Sequence, residues 1–178
     1  MSRKVICISR TIGAEGEELG RVVADKLGYR YVDEEIVVRA AEVAGVSPQT
    51  IAESERSDAG AGYSASIEQV IRETAEEGDV VIVAHGASIP LAGQSEVLRV
   101  FVTASPESRA RRLAEVEGID TAAARKAIDE SDAARALYFE RIYGVKEERP
   151  TDYDVTVNTD TMPVAKAARL VIQAALTL

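Results

Sequence analysis

Short runs of valine and isoleucine alternate with segments of helical periodicity along the whole chain. Five runs have the length of strands and carry apolar residues on consecutive positions, as in strands covered on both faces: Val5–Ser9, Tyr29–Val32, Asp79–Ala84, Leu98–Thr103 and Tyr153–Val157. Seven segments have the spacing of amphipathic helices: Glu17–Leu27, Glu34–Ala44, Pro48–Ser54, Ile67–Glu77, Pro106–Glu117, Thr121–Arg141 and Pro163–Ala175. This order predicts an α/β fold, a three-layer sandwich with a parallel five-stranded sheet.

The predicted helices carry start and stop signals. Ser47-Pro48 and Ser105-Pro106 each place a serine at the N-cap and a proline in the first turn. Four glycines stand where predicted helices should end: Gly28, Gly45, Gly78 and Gly118. A length of 178 residues fits a single domain, residues 1–178, with the low-complexity stretch Ser57–Gly62 as a linker inside it.

The composition argues against several classes of function. The chain has 21 basic and 30 acidic side chains and a net charge of −9, which argues against binding along a nucleic-acid backbone but allows a local arginine cluster that binds a small anion. With one cysteine, Cys7, and one histidine, His85, the chain forms neither an intramolecular disulfide nor a Cys/His metal site. No apolar run approaches the length of a membrane span or of a secretion signal, so a cytoplasmic protein is expected.

A glycine-containing turn follows the first predicted strand and reads Ser9-Arg10-Thr11-Ile12-Gly13-Ala14-Glu15-Gly16. A helix and a second strand come directly after it. Strand, glycine turn, helix and strand is the layout of a phosphate-binding loop, in which backbone N–H groups and the positive end of the helix dipole face an anion. The spacing of two glycines also fits a tight turn without a ligand, and both interpretations stay open on spacing alone.

Four segments carry a recognisable pattern when they are read in chain order. Ser-Arg-x-x-Gly-x-x-Gly from Ser9 is followed by a helix and by Tyr-x-Asp-x-Glu-Ile from Tyr31. Three segments come later in the chain. They are Val80–Ala87, a strand with the glycine-containing turn that ends it, an Asp-x-x-Arg-x-x-Tyr helix at Ser131–Tyr138, and a last strand at Tyr153–Asp160. Together they resemble the cytidylate kinase-like family, a branch of the nucleoside-monophosphate kinases with the P-loop fold, over nearly the whole chain.

The resemblance implies an activity and a set of site residues. The activity is ATP-dependent transfer of a phosphoryl group to a nucleoside monophosphate such as CMP, with Mg²⁺. The residues implied for the donor phosphates are Arg10, Gly13, Ala14 and Gly16, with Arg10 partly replacing a missing loop lysine. Those implied for the acceptor are Asp33, Arg39 and His85. Arg135 is implied as the lid arginine that acts with Arg10 in catalysis, with help from Arg141 and Lys146.

The resemblance also divides the domain by role. It places acceptor-site helices at about residues 34–77 and a lid-like helical region at about residues 119–150. The long predicted helix Thr121–Arg141 is suited to a lid or to a dimer face, so the oligomeric state stays open.

Each side chain outside the loop also has an interpretation without a ligand. Arg39 and Arg135 fit exposed helix positions equally well, and Asp33 fits a cap of the helix that follows it. His85 stands where the family has arginine, and we interpret it as a polar residue at the edge of the cleft rather than as a catalytic base. The basic cluster of the fifth predicted helix is expected to lie on a solvated face: Arg109, Arg111 and Arg112.

The loop departs from the family pattern at four positions. Gly16 occupies the position of the usual lysine, and Glu18 that of the hydroxyl residue that binds Mg²⁺. Glu15 and Glu17 stand where the family often has glycine and arginine, and each carboxylate beside a phosphate costs from about 1 to several kcal/mol. Two alternatives therefore stay open: a catalytically inactive homologue with a nucleotide-binding or regulatory role, and an enzyme for another phosphorylated substrate whose glutamates bind a metal.

Overall fold

The predicted alternation of strands and helices is present in the computed structural model, which describes residues 4–56, 62–83 and 86–177. The strands are β1 (Val5–Arg10), β2 (Arg30–Val32), β3 (Val80–Ile82), β4 (Val97–Thr103) and β5 (Val155–Asn158). The helices are α1 (Gly16–Leu27), α2 (Glu35–Ala44), α3 (Pro48–Arg56), α4 (Ser64–Glu77), α5 (Pro106–Glu117), α6 (Thr121–Tyr143) and α7 (Val164–Thr177). A 3₁₀ turn at Pro150–Asp152 precedes β5.

The five strands form one parallel sheet in the order β2-β3-β1-β4-β5, which confirms the predicted fold class. The first strand therefore lies in the centre, between β3 and β4, with Ser9 opposite Phe101 and Arg10 opposite Val102. Since all strands are parallel, their carboxyl ends share one edge of the sheet. The loop after β1 emerges in the middle of that edge, where crossover connections of this kind place ligands.

The alternation of side chains along β1 assigns one helical layer to each face of the sheet. Ile6 and Ile8 lie in an apolar core with α1 and α7, whereas Val5 and Cys7 lie in a second core with α2, α3 and α4. Burial raises the pKa of the Cys7 thiol to about 12, so this cysteine is a neutral core residue, as predicted. The period of two then places Ser9 on the α2–α4 face and Arg10 on the α1 face.

The helix boundaries follow the predicted signals. The Ser105 hydroxyl accepts from the Ser108 N–H at 3.3 Å, and the Ser47 hydroxyl accepts from the Thr50 N–H at 3.1 Å. The predicted stop glycines are the C-caps of α1, α2, α4 and α5. Helix α6 runs two residues beyond its predicted end because its C-cap is Gly144, with φ +66°.

Some predicted boundaries differ from those observed, and others fall outside the described residues. Strand β5 begins at Val155 rather than Tyr153, because the 3₁₀ turn runs to Asp152 and Tyr153 is its C-cap. The Tyr153 ring stacks on Phe101 with centroids 5.1 Å apart. The end of the third predicted strand, at Ala84, and most of the Ser57–Gly62 linker lie outside the described residues. Within the part of the chain that is described, every helix is too short or too polar to span a bilayer.

Gly20 provides a test of how closely α1 packs on the sheet. A Cβ atom at this position would lie 2.5 Å from Cγ2 of Val83 and 3.1 Å from Cε2 of Tyr31. We expect Gly20→Ala to lower the free energy of unfolding by about 1–3 kcal/mol, since the core must shift to admit the methyl group. The matched control is Gly62→Ala, where no heavy atom lies within 4 Å of the added carbon. Equal denaturation midpoints for the two variants would contradict this packing.

Candidate functional site

The loop from Thr11 to Glu15 connects the central strand to α1 and has an unusual backbone. Gly13 has φ +76° and Glu15 has φ +63°, both in the left-handed region. A Cβ atom at Gly13 would lie 2.7 Å from the carbonyl oxygen of Arg109, so α5 approaches the loop too closely for a side chain there. Glu15 adopts this conformation without being glycine, which explains why the family pattern favours glycine at its position.

The carbonyl oxygens of Ile12, Gly13 and Ala14 are all hydrogen-bonded to side chains from distant parts of the chain. In chain order they accept from Arg109 Nε at 2.7 Å, Arg112 Nη1 at 3.2 Å and Thr159 Oγ1 at 3.1 Å. Two of the donors belong to α5, and the third directly follows β5. Three successive peptide units of the loop are thus oriented by the same neighbouring structure.

This orientation determines where the loop's N–H groups point. The C=O and N–H groups of a trans peptide point in opposite directions, so the N–H groups of Gly13 and Ala14 face away from their partners on α5, and that of Glu15 faces away from Thr159. The Ala14 N–H donates to the Thr11 carbonyl at 3.1 Å, whereas those of Gly13 and Glu15 have no acceptor within the described part of the chain. With the free N–H groups of the first turn of α1, they form a concave set of donors suited to an anion.

The prediction of a solvated basic face on α5 is wrong for two of its three arginines. Arg109 is only 4% exposed, and Arg112 donates to the Thr159 carbonyl at 2.7 Å as well as to the loop. Arg111 is the exposed member of the cluster. The sequence spacing of the three arginines indicates this difference. Arg109 and Arg112 are three residues apart and lie on one face of the helix, whereas Arg111 lies off that face.

Two of the three glutamates in and after the loop are paired with arginines, and the third is exposed. Glu15 Oε2 lies 3.4 Å from Arg112 Nη2, and Glu17 Oε1 accepts from Arg10 Nε at 2.7 Å. Glu18 is exposed on the first turn of α1, where the helix dipole favours a negative charge. The expected repulsion of a phosphate is therefore reduced by partners that the sequence did not indicate.

The side chain of Arg10 fills the space beside Gly16 that a lysine at residue 16 would need. A Cβ atom at Gly16 would lie 2.4 Å from Cβ and 2.7 Å from Cγ of Arg10. The arginine stem thus crosses directly over the first residue of α1. Any side chain at Gly16 would displace Arg10, so the absence of the lysine and the presence of the arginine belong to one packing arrangement.

Arg135 of α6 reaches the opposite face of β1 and is held by a carboxylate. Its Nε and Nη2 donate to Glu148 at 2.7 and 2.9 Å, and Nη2 also donates to Ser9 Oγ at 2.6 Å. The guanidinium carbon lies 4.4 Å from the centre of the Phe139 ring. Arg135 is therefore part of an ordered network, and its interpretation as a solvated helix residue is wrong.

Tyr153 completes the network around Glu148. Its hydroxyl donates to Glu148 Oε1 and contacts Ser9 Oγ at 3.0 Å. Burial, followed by the hydrogen bond to Glu148, raises the pKa of Tyr153 to about 12, so this hydroxyl stays protonated. A cavity of about 220 Å³ adjoins the network and is lined by Thr11, Phe101 and Phe139 among others. Ser9 and Tyr153 each begin a segment of the family pattern but were assigned no role from the sequence, and Glu148 lay outside every segment.

Of the predicted acceptor residues, the structure describes Asp33 and Arg39, and both are bound to partners outside the loop. Asp33 directly follows β2; it accepts from the Glu34 N–H at 2.6 Å and lies 3.5 Å from Arg21. The N-cap of α2 is Glu34 and no side chain caps this helix, so the interpretation of Asp33 as a cap is wrong. Arg39 binds Thr74 at 3.0 Å and Glu77 at 3.3 Å, near the end of α4 that precedes β3. His85 lies outside the described residues. The role of these three residues in acceptor binding stays a prediction.

A parallel sheet in the order β2-β3-β1-β4-β5, with a glycine loop leading from the central strand into a helix, is the fold of the P-loop kinases. A solved structure of an uncharacterized protein from Eubacterium ventriosum shares it, with a TM-score of 0.79, 18% identity and coverage of 96% of this chain and 97% of that one. Shikimate kinase from Bacteroides thetaiotaomicron does as well, with a TM-score of 0.60, 19% identity and coverage of 96% and 94%.

The chain belongs to the cytidylate kinase-like family, whose model matches residues 5–161. It is 30% identical to the cytidylate kinase of Methanopyrus kandleri in an alignment 182 residues long, which covers 92% of each chain. It is 31% identical to that of Ignicoccus hospitalis over 159 residues, which cover 89% of this chain and 91% of the relative. The family resemblance drawn from the four sequence segments is thereby confirmed.

The contact between Gly16 and Arg10 can be tested with a double-mutant cycle. We expect Gly16→Ala to lower the free energy of unfolding by about 1–3 kcal/mol, because the added methyl group overlaps the arginine stem. In an Arg10→Gly background the stem is gone and the same substitution should cost much less. Chemical denaturation of the four proteins measures the coupling, and an additive cycle would contradict the contact.

The Glu148 carboxylate can be tested against its neighbour in the chain. We expect Glu148→Gln to lower the free energy of unfolding by about 2 kcal/mol, since Arg135 and Tyr153 lose a charged acceptor in a partly buried site. Glu147 is exposed, and Glu147→Gln should change stability by no more than about 0.5 kcal/mol. Urea denaturation distinguishes the two, and equal losses would show that Glu148 has no special place in the network.

Proposed function

We propose that this protein transfers the γ-phosphoryl group of ATP to a nucleoside monophosphate, with CMP as the first acceptor to test. The observation that carries the proposal is the orientation of the loop. Its carbonyl oxygens are bound by Arg109, Arg112 and Thr159, so the N–H groups of the same peptide units point the other way, as suits the binding of an anion. The family relationship and the curated relatives, which are cytidylate kinases, support the choice of acceptor.

In this proposal Arg10, Gly13, Ala14 and Gly16 bind the donor phosphates, and Arg135 closes over them. An acceptor phosphate oxygen forms a bond to the γ-phosphorus while the bond to the β–γ bridging oxygen breaks, so ADP leaves with that electron pair. The protein mainly positions the two nucleotides and neutralises the negative charge between them. Arg10 and Arg135 approach the end of β1 from opposite faces of the sheet, which suits them to flank one phosphate chain.

The proposal includes Mg²⁺, which enters with the nucleotide and neutralises its β- and γ-oxygens. The described residues contain no group of three acidic, histidine or cysteine side chains that fits a metal ion. Glu15 and Glu17 are paired with arginines, so Mg²⁺ would be held mainly by nucleotide oxygens and water. The same pairings leave the alternative of a glutamate-bound metal for another substrate without support in the described residues.

The acceptor side of the proposal uses Asp33, Arg39 and His85, with helices at about 34–77 around the acceptor and a lid at about 119–150. A nucleotide kinase must be in the compartment that holds its nucleotides, so the proposal includes a cytoplasmic location. It also includes no nucleic-acid partner and no membrane partner. The excess of acidic over basic side chains, 30 against 21, supports the exclusion of nucleic acid.

A catalytically inactive, nucleotide-binding homologue is the second candidate, and one observation favours it. Both arginines proposed for catalysis are already paired, Arg10 with Glu17 at 2.7 Å and Arg135 with Glu148 at 2.7 Å. A nucleotide must compete with these carboxylates before either arginine binds phosphate. If the exchange does not occur in the transition state, the loop binds nucleotide without turnover.

Phosphotransfer from Mg·ATP to each common nucleoside monophosphate tests the proposal. We expect activity with CMP, and a loss of about 100-fold or more in kcat/KM for Arg10→Ala and for Arg135→Ala, since each removes a cation that stabilises the transition state. Arg111→Ala is the control, because this exposed arginine lies outside the site. Activity that survives in both variants would overturn the assigned roles, and nucleotide binding without turnover would favour the inactive homologue.

A further inference from the structure

Arg109 is a buried cation, and each of its three guanidinium nitrogens donates a hydrogen bond. The side chain is 4% exposed, and its Nε donates to the Ile12 carbonyl at 2.7 Å. Its two terminal nitrogens donate to the two carboxylate oxygens of Asp132 on α6, at 2.8 and 2.6 Å. One planar guanidinium therefore connects the loop to the helical region proposed as the lid.

The geometry requires arginine in particular. The guanidinium fork places Nε and two terminal nitrogens in one plane, so it binds a carbonyl on one edge and a carboxylate on the other at the same time. A lysine ammonium at the same position carries the same charge but cannot hold both partners in fixed directions. The backbone of α5 also lies against the loop at Gly13, where a Cβ atom would be 2.7 Å from the Arg109 carbonyl oxygen, so the helix and the loop fit as one unit.

The bond to Ile12 fixes the peptide unit whose other end is the Gly13 N–H. That N–H has no acceptor within the described part of the chain and points away from α5. Its direction depends on Arg109, and the direction of the Arg109 guanidinium depends on Asp132, which is 42% exposed and lies on the lid-like helix. A shift of α6 away from α5 would break the carboxylate pair and release the loop.

We propose that Arg109 is a positioning residue for the phosphate loop, and that Asp132 couples the geometry of the loop to the position of α6. The inference rests on the proposed function in one respect, that the loop binds donor phosphate. Its consequence is reciprocal coupling. When α6 lies against α5, the direction of the Gly13 N–H is fixed, and a phosphate bound by that N–H favours this position of α6 in turn.

The first test needs no nucleotide. Amide chemical shifts of Gly13, Ala14 and Glu15 are compared by NMR in the wild-type protein, Arg109→Lys, Asp132→Asn and the control Arg111→Lys, with the amides of α7 reporting that each variant is folded. We expect the loop amides to move in Arg109→Lys and in Asp132→Asn, and to stay unchanged in Arg111→Lys, since Arg111 is exposed on the same helix. Loop amides that are unchanged in Asp132→Asn, the milder substitution, would overturn the inference.

The second test is calorimetric titration of the same proteins with Mg·ATP. We expect Arg109→Lys and Asp132→Asn each to bind at least tenfold more weakly than the wild type, and the control Arg111→Lys to bind as the wild type does. The double variant Arg109→Lys/Asp132→Asn should bind about as weakly as either of its single variants, because the pair acts as a unit. Losses that multiply in the double variant would overturn the coupling. A wild-type protein that does not bind ATP would remove the proposed function, whereas the amide shifts would still decide the role of Arg109.

Discussion

The hydrogen bonds from α5 and from the end of β5 to three successive loop carbonyls are the constraint on which the rest of the site depends. They fix the direction of the N–H groups on the same peptide units, and the close approach of α5 requires glycine at residue 13. A loop of this length would otherwise have many conformations, and only a fixed one offers an anion several donors at once. The central position of β1 then places this fixed loop at the middle of the sheet edge formed by the carboxyl ends of the strands.

A second feature of the site is that three of its arginines are paired with carboxylates. Arg10, Arg112 and Arg135 pair with Glu17, Glu15 and Glu148, respectively. These pairs allow several arginines to lie around the loop and the end of β1 without strong repulsion among them. A phosphate that binds one of these arginines must displace the carboxylate paired with it. One anion then replaces another, so the electrostatic gain is smaller than for an unpaired arginine, and binding depends on how well the phosphate fits the arginine.

The fold was predictable from the sequence because its signals are local. Consecutive valines and isoleucines, Ser105 before Pro106, and Gly28 after α1 each act within a few residues, and the structure follows them. The contacts that shape the site are not local: Arg109 and Ile12 are 97 positions apart, and Ser9 and Glu148 are 139 apart. Helical spacing showed that Arg109 and Arg112 share a face, but it did not show which element lies against that face. For the same reason the partners of Glu15 and Arg135 were missed.

Calorimetric titration of the unmodified protein with Mg·ATP is the most direct test of whether the loop holds a donor nucleotide. The fixed N–H groups and the flanking arginines predict saturable binding of one ATP per chain with a Kd in the micromolar range, followed by binding of a monophosphate to the complex. No detectable binding at millimolar ATP would mean that the carboxylates keep their arginines. In that case the loop is a structural turn, and the proposed kinase activity would be contradicted.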